Sequence, residues 1–313
     1  MTILLQTATD PRAWLLALGA AAPERPVLTK DAADHFAEVR YAMVWRPPQG
    51  LLAQLPNLAV IFNLGAGVDA LLADATIPKH IPIVRSVDPD ITGRMTEWVV
   101  LQALYHFRQM PAYQAQQHRR LWQDLPQQAA SAATVGLMGV GVLGQSAAKV
   151  LRALGFNVIG WSRTAKRGLG FPVHHGEPEL ADFLAATDLL VCLLPLTAET
   201  TGILNYGLFQ RLKRSGPIGG PVLINCGRGG QQVEMDILRA LDDNTLVSAT
   251  LDVFETEPLP VESPLWRHPK VMITPHVAAD SDPEAMTAHV LGQIARFEAG
   301  RPMETVVDRA TGY

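Results

Sequence analysis

This sequence predicts an α/β fold with parallel sheets, and three observations carry the prediction. Short apolar runs alternate with stretches of helical periodicity along nearly the whole chain, the pattern of strand–helix–strand units. One of those runs passes through a glycine-rich turn directly into an amphipathic helix. The 313 residues, 48% hydrophobic and only 18% charged, can bury a large core and suffice for two domains.

Taken in order, Thr2 to Gln6 reads as a strand and Pro11 to Ala20 as a helix. Tyr41 to Trp45, Leu58 to Phe62 and Ile81 to Val84 read as buried strands. Thr96 to about His118 carries Val99, Val100, Ala103, Leu104 and Phe107 at helical spacing, and its length suits one helix joining two domains. A polar stretch and a Gln/Ala-rich link lead to a buried strand that starts at Thr134 and turns sharply into a helix, roughly Val142 to Leu154, followed by a strand at Asn157 to Trp161. Asp188 to Leu194 is strand-like and ends at Pro195; Glu199 to Ile203 and Tyr206 to Leu212 read as helical. Pro221 to Cys226 is a strand, Val233 to Asp242 a helix, and Leu246 to Asp252 and Val271 to Ile273 are strands. The last helix, Pro283 to Ala299, places Met286, Val290, Ile294 and Phe297 at helical spacing and is expected to pack back on the first domain.

The glycine-rich turn is the most informative stretch. Gly139, Gly141 and Gly144 give the G-x-G-x-x-G spacing between an apolar strand and a helix. The first glycine permits the tight turn, the second lets a pyrophosphate approach the backbone, and the third lets helix and strand pack closely. Backbone N–H groups at the helix start, around Val142 and Leu143, face an anion there. A dinucleotide site is therefore expected. A site for NAD usually shows an acid about twenty residues on, for the ribose hydroxyls. Here the second strand runs instead into Ser162, Arg163, Lys166 and Arg167, with no acid. Guanidinium donors suit a 2′-phosphate, so NADP is expected, with NADPH preferred over NADH.

A second glycine stretch, Gly65-Ala66-Gly67, also follows a strand, with Asp88 roughly where a ribose acid would stand. Its helix is short and ended by Pro78, too little for a dinucleotide crossover. The loop suits a smaller anion such as a carboxylate, held by backbone N–H groups.

The net charge of −4 argues against nucleic acid as a partner. No apolar stretch is long enough to span a bilayer, and no metal-ligand spacing is present. The two cysteines, Cys192 and Cys226, lie in apolar runs; with no signal peptide in view they suggest a reducing, cytoplasmic setting.

Ligands of open α/β sheets bind beyond the carboxyl ends of the strands. Past those ends lie Leu194 and Pro195; Cys226 and Arg228; Asp252, Glu255 and Glu257; and His276. Reduction of a ketone by a nicotinamide needs an acid for the forming alkoxide and a cation near the carbonyl. His276 is the natural acid and Arg228, flanked by glycines, the natural cation. A carboxylate beside the imidazole would favour its protonated form. Spacing alone leaves Glu255 and Glu257 both open as that partner.

Three late stretches together, Asn225-Cys226-Gly227-Arg228-Gly229, Leu251-Asp252-Val253-Phe254-Glu255-Thr256-Glu257-Pro258-Leu259 and Thr274-Pro275-His276, resemble the signatures of the D-2-hydroxyacid dehydrogenases. Asn63 to Asp69, Trp161-Ser162-Arg163, Ser263-Pro264-Leu265-Trp266 and the C-terminal Val307 to Tyr313 support the likeness. The resemblance implies a Rossmann-type dinucleotide-binding domain (98–282) inserted in a flavodoxin-like substrate domain (1–97 and 283–313), usually as a homodimer. It implies Arg228, Glu257 and His276 as catalytic, with Glu257 the partner of His276. Asp252 would hold the nicotinamide carboxamide. Ala66 and Gly67 would bind the substrate carboxylate, and Trp45 would form an aromatic wall. The implied reaction is NADPH-dependent reduction of small 2-oxo acids, glyoxylate and hydroxypyruvate first. Gly227 departs from the family's usual Ala or Ser and is expected to loosen the arginine loop. Trp122 would reach an active site, its own or a partner's, although nothing local in the sequence requires it. Two alternatives stand beside this reading: a corepressor-like protein that senses the dinucleotide without turnover, and a dehydrogenase of a larger 2-hydroxy acid. Glu257 argues against the formate dehydrogenases, which pair the histidine with glutamine.

Overall fold

The computed structural model describes residues 1–8 and 10–312; Tyr313, the end of the C-terminal stretch quoted above, lies outside them. The chain divides into two compact units, Met1–Ile91 with Ser281–Tyr313, and Thr92–Asp280.

In the first unit the strands are β1 (Thr2–Gln6), β2 (Val27–Leu28), β3 (Val39–Val44), β4 (Val60–Asn63) and β5 (Ile83–Arg85), all parallel, in the order β2-β1-β3-β4-β5. This is the flavodoxin-like doubly wound order. Every residue of β1 and β4 is buried, as expected for parallel strands covered on both faces. Helix α1 (Arg12–Ala21) follows β1, and the short α2 (Asp69–Ala73) follows the Gly65–Gly67 loop. The last helix, α9 (Pro283–Glu298), returns to this unit as expected. Asp282 Oδ1 accepts from the N–H groups of Glu284 and Ala285 at 3.0 and 2.9 Å, and Pro283 sits where no N–H is needed. At its other end Glu298 takes a two-pronged contact from Arg25, at 2.9 and 2.8 Å.

In the second unit seven parallel strands run in the order β12-β11-β10-β9-β6-β7-β8. They are β6 (Thr134–Met138), β7 (Asn157–Ser162), β8 (Val173–His175), β9 (Leu189–Cys192), β10 (Val222–Asn225), β11 (Ser248–Leu251) and β12 (Val271–Ile273). The order reverses beside β6, the switch point at which open sheets bind ligands. Alternate side chains of the central strands feed opposite faces. Leu137, Leu189, Val191, Val222 and Ile224 join the core under α3 (Pro89–Phe107) and α5 (Val142–Ala153). Met138, Leu190, Cys192 and Leu223 join the core under α6 (Leu180–Ala186) and α8 (Glu234–Asp242). Helix α5 buries Gly144, Ala147, Ala148 and Leu151, one stripe at helical spacing.

Three expectations are corrected. The long helix expected from Thr96 to His118 is two helices, α3 and α4 (Met110–His118), and α3 starts earlier. Asp88 Oδ1 accepts from the N–H groups of Asp90 and Ile91 at 2.8 and 3.1 Å and so caps that earlier start of α3. The break comes at Gln109, whose φ of 56° is left-handed, just ahead of Pro111 in the first turn of α4. Residues Glu199 to Ile203 form hydrogen-bonded turns, not a helix. Thr200 Oγ1 takes the N–H of Thr197 at 2.8 Å and donates to Pro195 O at 2.7 Å, which competes with helical bonding. The helix expected over Tyr206 to Leu212 is the single turn α7 (Tyr206–Phe209).

Candidate active site

Three neighbouring strands of the second unit deliver the polar groups. Arg228 lies three residues past β10, Asp252 directly past β11, and His276 three residues past β12. Since β10, β11 and β12 pair in parallel, all three leave the same edge of the sheet.

His276 is held in a left-handed conformation, φ 56°, which costs a non-glycine residue on the order of 1–3 kcal/mol. Asp252 holds it there. The His276 N–H donates to Asp252 O at 2.8 Å, while the Asp252 carboxylate accepts from Thr274 Oγ1 (2.6 Å), Val277 N (2.9 Å) and Ala278 N (3.0 Å). Burial holds the Asp252 carboxyl above its usual value, with these bonds and the neighbouring His276 limiting the rise. This anchoring was not visible in the sequence. Its only signal was the Thr274 and Asp252 pair at successive strand ends.

The imidazole Nδ1 of His276 lies 2.8 Å from Glu257 Oε2, and Glu257 Oε1 accepts from Phe254 N at 3.1 Å. Glu255 is turned elsewhere: its N–H donates to Glu234 Oε1 at 3.0 Å and its Oε1 accepts from Glu234 N at 3.3 Å. The contact to His276 therefore falls to Glu257, where spacing had left two acids open. The imidazole thus meets Glu257 through Nδ1.

Arg228 donates from Nη1 to Gly227 O at 2.8 Å. Its loop is fixed on two sides by a pair of buried glutamines. Gln231 takes the Arg228 N–H at 2.8 Å, and Gln232 bridges Asn225 Nδ2 (2.8 Å) to Val253 O (2.9 Å). The loosening expected of Gly227 is not what the loop shows. Gly227 is buried, its N–H donates to Asn225 Oδ1 at 3.1 Å, and the Gln231 carboxamide fills the space a Cβ would need.

The fingerprint turn has the build a pyrophosphate requires. Gly139 has φ 104°, and a Cβ there would press on the Leu193 carbonyl at 2.7 Å. A Cβ on Gly144 would collide with the Gly139 carbonyl, so only glycine lets α5 sit this close to β6. At Gly141 a Cβ would meet no atom within 4 Å, and no side chain caps α5. The first N–H groups of the helix, Val142 and Leu143 included, thus lie beside open space suited to a phosphate. At the end of β7, Ser162 Oγ donates to Thr164 O at 2.8 Å, while Arg163 and Lys166 are exposed. Leu194 is buried and Pro195 half-buried where the chain leaves β9. Cys226 is buried, its thiol held well above the usual value by burial and by nearby Cys192 and Asp252. The residues present therefore fit a phosphorylated dinucleotide.

In the first unit, the Gly65–Gly67 loop turns its carbonyls inward. Asn63 Nδ2 donates to Gly65 O (2.8 Å) and Gly67 O (2.9 Å), and Ser281 Oγ donates to Leu64 O at 2.8 Å. Trp45 lies over Gly65, where a Cβ would strike its ring. Ala66 and Gly67 are half-buried on that loop. Among the described residues no cluster of His, Cys, Asp and Glu is able to hold a metal, and no helix is long and apolar enough to cross a membrane.

Comparison with known proteins places this geometry in context. The model of a family described as D-isomer specific 2-hydroxyacid dehydrogenase, NAD binding domain, matches residues 100–278. The chain is 40% identical over 309 residues to glyoxylate/hydroxypyruvate reductase A of Yersinia enterocolitica, covering 97% of each. It is 41% identical over 305 residues to the reductase of the same name from Serratia proteamaculans, covering 96% of each. Among solved structures, an NADPH-dependent glyoxylate/hydroxypyruvate reductase from Sinorhizobium meliloti, in complex with NADP and sulfate, superposes with a TM-score of 0.95. It shares 47% identity, and the match covers 100% of this chain and 99% of that one.

Proposed function

The chain belongs to the D-isomer specific 2-hydroxyacid dehydrogenase family, and from that premise we propose that it is an NADPH-preferring reductase of glyoxylate and hydroxypyruvate. The observation that carries this is the His276–Glu257 contact of 2.8 Å on the sheet edge shared with Arg228 and the glycine fingerprint.

Gly139, Gly141 and Gly144, with the N–H groups of Val142 and Leu143, would hold the pyrophosphate. Ser162, Arg163 and Lys166 would hold the 2′-phosphate, the pairing a guanidinium suits. Leu194, Pro195 and Cys226 would line the remaining cofactor path, and the remaining acceptor capacity of Asp252 would meet the carboxamide. Hydride to the C2 carbonyl of the substrate is the chemistry that a bound NADPH supplies. Arg228 orients the 2-oxo acid and stabilises negative charge on the carbonyl oxygen as it forms. Nε2 of His276 delivers the proton to that oxygen, and the Glu257 carboxylate stabilises the imidazolium beforehand. Trp45, Ala66 and Gly67 are assigned to the substrate, the loop N–H groups to its carboxylate.

We further infer a homodimer in the cytoplasm. Helix α4 buries none of its residues and Trp122 is fully exposed, a surface that suits a second copy of the chain. A dinucleotide sensor without turnover is the competing class, and nothing in the site favours it. Initial rates for a panel of 2-oxo acids with NADPH and with NADH separate the readings. Rapid NADPH oxidation with glyoxylate and hydroxypyruvate is expected. Cofactor binding with no turnover on any oxo acid would overturn the assignment.

A further inference from the structure

Gln231 has no solvent exposure, yet its carboxamide is fully engaged. Nε2 donates to Leu194 O at 2.7 Å and to Pro195 O at 3.0 Å. Oε1 accepts from the Arg228 N–H at 2.8 Å and from Cys192 Sγ at 3.4 Å. The amide has only one workable orientation, because two carbonyls need donors and a backbone N–H needs an acceptor. One side chain thereby ties the arginine loop beyond β10 to the segment leaving β9. Gly227 is the matching half of this arrangement, since any Cβ there would displace Oε1.

We propose that Gln231 is a positioning residue for the reduction. It fixes the backbone from which Arg228 reaches the substrate, and it fixes that backbone against Leu194–Pro195 on the cofactor path. This rests on the reading of Arg228 as the residue that orients the oxo acid. Satisfying buried polar atoms is a structural task that several bonding schemes meet. Joining these two segments through one carboxamide sets the arginine relative to the cofactor. A small misplacement of such a group lowers catalysis by about 100-fold at the extreme.

The test compares Gln231→Met, Gln231→Glu and Arg228→Lys in the full-length protein. Its readouts are initial rates with glyoxylate and NADPH binding by fluorescence titration. Gln231→Met is expected to raise the glyoxylate KM about 10- to 100-fold, with the NADPH Kd changing less. Gln231→Glu keeps an acceptor for Arg228 N–H but, when ionised, has no donor for the two carbonyls; protonation restores one donor. Its activity relative to wild type is therefore expected to rise as pH falls from about 8 to about 6, or to stay near wild type throughout if burial keeps it protonated. A purely structural role would weaken NADPH binding along with glyoxylate binding, and so would not give the split between KM and Kd. An unchanged glyoxylate KM in Gln231→Met, or a Gln231→Glu variant as impaired as Gln231→Met at every pH, overturns the proposal. Should Gln231→Met fail to fold, Gly227→Ala displaces the same carboxamide, and an unchanged KM there overturns it equally. If Arg228→Lys leaves the glyoxylate KM unaltered, the underlying reading of Arg228 is at fault. If it raises that KM while Gln231→Met does not, only the positioning role falls.

Discussion

Replacing Glu257 by glutamine removes a charge while keeping a hydrogen-bond acceptor, so it isolates what the carboxylate does for His276. The two groups meet at 2.8 Å, with side chains 24% and 15% exposed. Unit charges about 4 Å apart attract by about 4 kcal/mol at an effective dielectric near 20. Partial exposure and the retained neutral bond reduce the difference. Hydrogen bonds to charged groups are worth about 1.5–3 kcal/mol and neutral ones about 1 kcal/mol. A loss of about 1.4 kcal/mol remains, or about tenfold in kcat/KM. Glu257→Ala also removes the acceptor and strips Phe254 N–H of its partner at 3.1 Å, so it is expected to fall about 100-fold. Initial rates of NADPH oxidation with hydroxypyruvate read both. Glu255→Gln, whose bonds go to Glu234, is the control expected to keep its rate. Wild-type kcat/KM in Glu257→Gln would refute the reasoning, because the imidazole would then not feel the charge.

Three further outcomes are expected. Arg163→Ala should raise the KM for NADPH far more than that for NADH, since only NADPH carries the 2′-phosphate; equal changes would remove Arg163 from that site. His106, whose Nε2 lies 2.7 Å from Thr250 Oγ1, is held by burial at a pKa of about 4 against an ordinary 6.5. Above the ordinary value neither state is charged; as pH falls toward 4 the unfolded chain takes up a proton that the folded one does not. Unfolding free energy should thus drop by up to about 3 kcal/mol across that window, and chemical denaturation of His106→Gln should show a flatter pH profile. Trp122→Asp should shift sedimentation toward the monomer; an unchanged distribution would place any dimer contact elsewhere.

The fingerprint and the strand ends were legible because fully buried parallel strands read as apolar runs and the candidate site residues follow them directly. Less legible were features decided by distant contacts. The edge strands β2 and β8 are two and three residues long, too short to show a period. Arg108, Gln109 and Met110 are all good helix formers, so the break between α3 and α4 hinged on the first-turn Pro111 alone. The turns after Pro195 depend on threonine side chains bonding their own backbone, which helical periodicity does not reveal. Gln231 bonds a carbonyl 37 positions earlier, so nothing beside it in the chain announced its tie to the segment leaving β9. Asp252 reads only as a ligand-facing acid, and its second task of anchoring the His276 turn depends on contacts 22 to 26 positions away.

Single-turnover reduction of hydroxypyruvate by the NADPH-loaded protein addresses the proton donor without interference from product release. His276→Ala is expected to slow that turnover by about 10²–10⁴-fold while leaving NADPH affinity near that of wild type. Hydride transfer at the wild-type rate in this variant would contradict the account at its centre.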